Sequence, residues 1–383
     1  PFINQNNVSI TVQSQNNNNV PTNVTQNTSF SLSAANTTLS GSPTGTITAN
    51  TYETVLNPLM FTTLSTTATV TATRTSGDNL SAGTSDQFSV LIGNIYRPSA
   101  TGNWSTVQWQ ISSDGGSTWT DTTLPSGNIF SSSDAIFVPS GVTLTADVTA
   151  SFYIMRVEGI LKLQSGTLTL NHSTGGTDYG FHVLGTFQNS GGVFTNTNTT
   201  YPIIIEGGTY IHAVNGGNIP VASWTTSGST LSTCQINGIT NTAITSGLDQ
   251  NFQNFTWDNA SQTVVQNLSN NFSVSGALTL TNGVITTGVY YVRINATGSV
   301  SSTNNARING NLRRYIPNTT SPTVNFPIGD ANYYTPVSVS VGGTVAGSGY
   351  IQASTLVTQP PLASGLSQIK YINRSWTLSN VGV

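Results

Sequence analysis

Charge is what this sequence has least of: Asp, Glu, Lys and Arg make up 6% of 383 residues, where an ordinary soluble domain carries about 25%. Solubility therefore rests on hydroxyl and amide groups. The ten Lys and Arg residues leave a formal net charge of −3 and cluster nowhere beyond Arg313-Arg314, which removes the electrostatic footprint of a nucleic-acid-binding protein. A single cysteine, Cys234, excludes an internal disulfide and any multi-cysteine zinc site. No apolar run reaches the roughly 18 residues that span a bilayer, so no membrane span is expected. Sustained 3.6-residue periodicity is also missing, which excludes long amphipathic helices.

What is abundant is Thr, Ser, Asn and Gly, the last at 37 residues, a mixture that favours strands and turns. Between 130 and 305 a glycine followed by alternating apolar residues returns at intervals: Gly159-Ile-Leu-Lys-Leu and Gly166-Thr-Leu-Thr-Leu, then Gly185-Thr-Phe and Gly192-Val-Phe, later Gly276-Ala-Leu-Thr-Leu, Gly283-Val-Ile and Gly298-Ser-Val. Strands that short cannot bury an apolar face alone, and stacked coils can. The spacing predicts an all-β chain with a parallel β-helix over 128–305. Its register is expected to align Val142, Leu168 and Phe194 at one site, and Leu144 with Leu170 at the next. Around 208–252 the register fades, and Pro220 and Trp224 mark an expected projecting loop.

Flanking segments carry other patterns. Residues 1–45 are Asn/Thr-rich and hold one alternating segment, Val8, Ile10 and Val12, expected as a lone strand or a linker. Residues 46–127 predict an immunoglobulin-like β-sandwich, with Trp109-Gln-Ile-Ser-Ser-Asp-Gly-Gly-Ser-Thr-Trp119 forming a β-hairpin across its glycine turn. Residues 306–383 predict a second, C-terminal β-sandwich that stops soon after Trp376 enters a strand. An unpaired sheet edge recruits strands, so Val8, Ile10 and Val12 are a candidate donor strand that completes the last domain of the next copy, giving head-to-tail self-assembly; the competing expectation is that the chain continues past Val383 and supplies the missing strands itself.

The Trp109–Trp119 hairpin resembles one found in immunoglobulin-like modules of large bacterial surface proteins. In order, Gly310-Asn-Leu-Arg-Arg-Tyr-Ile, Phe326-Pro-Ile-Gly-Asp, Tyr333-Tyr-Thr-Pro-Val-Ser-Val and Arg374-Ser-Trp-Thr-Leu resemble a module of secreted, repetitive β-rich surface proteins of the Bacteroidota. That resemblance implies export by the type 9 secretion route and an extracellular or cell-surface location. The start at Pro1 without a leader fits a trimmed chain. The sorting domain implied by the resemblance does not appear before Val383, so either the polypeptide continues or the export route differs. Asp121-Thr122-Thr123 resembles the short O-glycan acceptor motif of such proteins, which makes Thr122 a candidate glycosylation site. Sequons such as Asn103 and Asn254 follow from composition.

Some β-helices are polysaccharide lyases and hydrolases, whose chemistry needs converging carboxylates or a calcium cluster beside a base. The best candidate cluster is Arg156, Glu158 and Lys162, expected to alternate along one strand, with His182 one period on. No second carboxylate recurs beside them, and Asp178 and Glu206 are expected on different turns. His172 and His212 lack metal-ligand spacing. Cys234 sits in an alternating run as a buried apolar residue, and Asp78, Asp114 and Asp330 fit acidic turns. Trp224, Tyr290 and Tyr291 are the aromatics that could stack on a sugar. The expectation is a non-enzymatic structural or adhesive element with no catalytic, cofactor or metal residue and with a glycan or surface ligand as candidate partner. The alternatives are a carbohydrate-active β-helix enzyme and a carbohydrate-binding module array.

Overall fold

The computed structural model describes residues 8–17, 19–63, 65–90, 93–114, 116–132, 134–171, 180–197, 203–343, 349–356 and 374–381. Almost every regular element in them is a strand, and the only helix is one short turn at Ser126–Asn128. The strands surround two separate cores.

The first core lies between a three-stranded sheet, ordered Val8–Gln13, Glu53–Phe61, Leu39–Gly41, and a five-stranded sheet built on Thr28–Ala35 and Ser65–Ser76. Phe30, Leu32, Ile47, Leu59, Phe61 and Val70 fill it. Strand periodicity turns Val8, Ile10 and Val12 together onto this core, where they are half-buried, while Ser9, Thr11 and Gln13 face out. The expectation of a lone strand or linker ahead of a sandwich beginning at 46 is therefore corrected. The segment pairs antiparallel with its own chain, Ile10 opposite Leu56 and Val12 opposite Thr54.

The second core runs without a break from Tyr96 to Ala353. It is a β-solenoid of about eight turns. Nine parallel strands form its longest sheet, from Gly102–Asn103 to Ser299–Ser302. Inward residues stack in columns: Leu144, Leu161, Phe187, Tyr210, Cys234, Phe255 and Leu278 succeed one another in register, all of them buried. A second sheet stacks Ala135–Val138, Ile154–Val157, Phe181–Val183, Ile203–Glu206 and Ala222–Thr225, and a third contains only Ala150–Phe152, Thr167–Leu170 and Val193–Asn196.

Coil length varies, and this alters the expected register. Leu168 does lie against Phe194, but its other neighbour is Ala150, and Leu144 lies under Leu161. Along the long sheet the step from Leu144 to Leu161 takes 17 residues, and the next, Leu161 to Phe187, takes 26. With steps of unequal length, a uniform period carried backwards misses the corner. Register persists through 208–252, where Trp224 pairs with Ile205 and packs 5.1 Å from Phe252.

The boundaries at 127 and 305 separate no cores. Trp109–Ser112 does form a hairpin with Thr120–Thr122, but it pairs on its other side with Ile95–Pro98, which joins Ala135–Val138 in parallel. The hairpin thus closes the start of the solenoid, where Trp104 and Trp109 pack 5.0 Å apart over Phe130. At the other end Arg307–Ile316 continues the stack in parallel with Val284–Ile294 and then pairs antiparallel with Gly349–Leu356, itself paired to Ser375–Val381. Segments expected within two flanking sandwiches are the solenoid's two ends.

Candidate functional site

The strands Ile154–Val157, Phe181–Val183 and Ile203–Glu206 bury alternate residues, so Arg156, His182 and Glu206 point out of the second sheet. Arg156 and His182 are register neighbours. Arg156 Nη2 lies 2.7 Å from Glu158 Oε1, and its Nε donates to the same oxygen at 2.8 Å. His182 Nε2 lies 2.7 Å from Glu206 Oε2. That hydrogen bond, helped by the charges of His182 and Arg156 and opposed by partial burial, holds the Glu206 carboxyl below its ordinary range.

Lys162 does not belong to this group. Gly159 turns the chain between Ile154–Val157 and Ile160–Leu163, placing Lys162 on the long sheet beside Gln188. The expectation that Arg156, Glu158 and Lys162 share one strand is corrected by that corner. Glu206 is the member that sequence reasoning missed, and its signal was the 24-residue separation from His182, close to one coil. His172 and Asp178 lie outside the described residues.

Chemically, the cluster holds two carboxylates, Glu158 paired with the Arg156 guanidinium and Glu206 hydrogen-bonded to the His182 ring. A glycosidic general acid needs a carboxyl kept protonated near neutral pH, and Glu206 is shifted the opposite way. Among the described residues no group of three or more His, Cys, Asp or Glu is placed to hold a metal ion, and no helix is long and apolar enough to cross a membrane.

His212 occupies an inward column between Asn189 and Ile236 and is wholly buried. Its Nε2 lies 2.7 Å from the Gly216 carbonyl, which can only accept, so Nδ1 is left to accept from Tyr210 Oη at 3.0 Å. Burial lowers the His212 pKa, partly offset by the Gly216 contact. Burial likewise raises those of Tyr210 and Cys234, so the thiol is an inert core group. Where the third sheet ends, a groove of about 370 Å³ opens beside this network, lined by Phe194, Tyr210, Asn215, Pro220 and Val221 among others.

The remaining candidates resolve as follows. Thr122 lies on the outermost strand of the second sheet, half-buried, its hydroxyl donating to the Thr123 carbonyl at 3.2 Å. Trp224 is buried, and the ring of Tyr291 is covered by Arg313 at 3.5 Å. Asp114 accepts from Ser112, Ser117 and Thr118 within its turn, which holds its carboxyl far below the usual range.

The C-terminal motifs meet in one knot. Arg374 Nη1 lies 2.7 Å from Asp330 Oδ2, though off the axis of a hydrogen bond. Asp330 Oδ1 accepts from the backbone of Asn332 and Tyr333, Arg307 donates to the carbonyls of Asp330 and Ala331, and Trp376 donates to the Thr335 carbonyl. Compared with family models, curated proteins and solved structures, the chain gives no significant match in any of the three.

Proposed function

We propose that the chain is a non-enzymatic extracellular structural or adhesive element, a cell-surface stalk or filament subunit. The observation that carries this reading is the single core from Tyr96 to Ala353, sheathed in hydroxyl and amide side chains. Such a stack resists bending because every coil is bonded to the next along its sheets. Its Arg156, Glu158, His182 and Glu206 cluster engages each carboxylate with a partner of its own, Arg156 on Glu158 and His182 on Glu206. The cell-surface location and the secreted Bacteroidota kinship rest on the motif resemblance alone.

Self-assembly is favoured by one further observation. Ser375–Val381 has a single strand partner, Gly349–Leu356, among the described residues, and its Trp376 and Leu378 are 41% and 49% exposed. Val8–Gln13 is likewise an edge strand. Its apolar residues already serve its own core, so head-to-tail assembly would add a strand to its free edge and leave that core intact. Candidate O-glycosylation at Thr122 also belongs to this reading.

The test is electron microscopy of the purified protein, with a screen of neutral and acidic polysaccharides for turnover. Rods or filaments without turnover are expected, with filaments shortened in Leu378→Lys. Polysaccharide cleavage that disappears in Glu206→Gln would overturn the non-enzymatic reading.

A further inference from the structure

Sheet register does something at the C-terminal end of the solenoid that is unusual in a chain so poor in charge. Arg293 on Val284–Ile294 and Arg313 on Arg307–Ile316 are direct partners in a parallel ladder, on strands about 4.8 Å apart. Like charges directly opposite each other destabilise a sheet. No carboxylate pairs with either among the described residues, whose ion pairs are those of Arg156, His182 and Arg374.

The Arg313 guanidinium is held in place, and donors of both arginines are left over. Arg313 lies 3.5 Å over the Tyr291 ring and donates through Nε to Gln352 Oε1 at 2.7 Å. Gln352 is fixed in turn by Asn311 at 3.1 Å, and Asn311 by the Tyr290 carbonyl at 2.9 Å. This chain of contacts occupies one edge of the Arg313 fork and aims the terminal nitrogens elsewhere. Arg293 Nε is buried without a hydrogen-bond partner, and its guanidinium lies 5.8 Å from the ring of Tyr350, which meets Tyr315 edge-on at 5.8 Å.

We propose that Arg293 and Arg313 form a binding site for an acidic sugar, a carboxylate or sulfate bridged by the two guanidiniums, with Tyr350 beside them as an apolar wall for the sugar ring. Two forks one strand apart match a single small anion, the geometry for which Arg is suited, and an aromatic side chain supplies the flat apolar surface. A nucleic acid is the less favoured ligand. It needs several cations spread along a backbone, and beside these two among the described residues stands Arg314, turned to the Asn325 carbonyl, while the whole chain carries −3. The site goes beyond the structural reading above and does not depend on it, since a stalk needs no ligand and an enzyme or a scaffold can hold one.

Isothermal titration of the whole chain tests it with four probes: a galacturonate hexamer, a sulfated heparin-derived hexamer, a neutral cello-oligosaccharide and a thymidine oligonucleotide. At least one acidic hexamer is expected to bind, and which one does distinguishes carboxylate from sulfate. The neutral sugar and the oligonucleotide are expected to give no heat. Arg293→Gln and Arg313→Gln should each weaken binding at least about tenfold; Arg293→Gln should leave the melting temperature unchanged, while Arg313→Gln also loses its contacts to Tyr291 and Gln352 and should lower it. Arg293→Lys, which keeps the charge and removes the fork, should retain weaker, salt-sensitive binding and serves if a Gln variant misfolds. Failure of both acidic hexamers, unchanged affinity in both Gln variants, or tighter binding of the oligonucleotide would each overturn the proposal.

Discussion

Replacing Gly185 by alanine should uncouple two coils of the solenoid. Gly185 sits at the corner between Phe181–Val183 and Thr186–Asn189, where the chain passes directly over the corner of the coil before it. A methyl group there would lie 2.1 Å from the Gly159 carbonyl oxygen and 2.4 Å from that of Glu158, about 1 Å inside van der Waals contact. Those atoms are backbone, so no side chain can swing aside. The Gly159 carbonyl accepts from Thr186 N at 2.8 Å, and Gly185 N donates to Val157 at 2.9 Å, so moving either corner stretches inter-coil bonds. Overpacking costs about 1–3 kcal/mol and each weakened hydrogen bond about 1 kcal/mol, giving roughly 4 kcal/mol. Urea denaturation followed by circular dichroism measures it, with a lowered midpoint and a broadened transition expected as the stack loses nearest-neighbour coupling. Gly141→Ala is the control: that glycine has φ +79° with no atom within 4 Å of the added methyl, so only backbone strain of about 1 kcal/mol applies. Equal losses in the two variants, or a loss under about 1 kcal/mol for Gly185→Ala, would refute the close-approach argument.

Leu168→Asp places a carboxylate between Ala150 and Phe194 and should cost about 4 kcal/mol; a melting temperature equal to the parent's would contradict that register. His212 predicts a pH dependence. Its folded pKa is depressed below 6.5 by burial, so the unfolded chain takes up a proton first; stability is full above about pH 6.5 and falls as pH drops from there toward the folded value. Denaturant midpoints across that window check it, and His212→Gln, which cannot titrate, should flatten the slope. Arg374→Ala leaves Asp330 buried without its cation and should cost about 3 kcal/mol, read as faster amide exchange along Ser375–Val381. Slow exchange there after the substitution would show that the ion pair does not anchor the strand.

Local sequence was enough for an all-β chain with a β-solenoid, though not for the sandwiches expected at its two flanks. Alternation in Gly166-Thr-Leu-Thr-Leu and its relatives specifies strands with one buried face, and recurring glycines mark the corners where coils approach. It was enough to place Leu168 against Phe194 and Arg156 against His182, because those pairs span one coil of the length the doublets themselves display. Three things were decided only by tertiary structure. Coil length changes from one turn to the next, 17 residues from Leu144 to Leu161 and 26 from Leu161 to Phe187, which the strand pattern does not show, so Leu144 meets Leu161 and Glu206 meets His182. A hairpin signal such as Trp109–Trp119 says that two strands pair but not which sheet edge they join, and the free end of the solenoid claimed it. Finally, Arg293 and Arg313 are twenty residues apart in a sequence with no visible reason to associate. Only the parallel register between their strands, which depends on the stacking of every coil beneath, sets the two residues opposite each other.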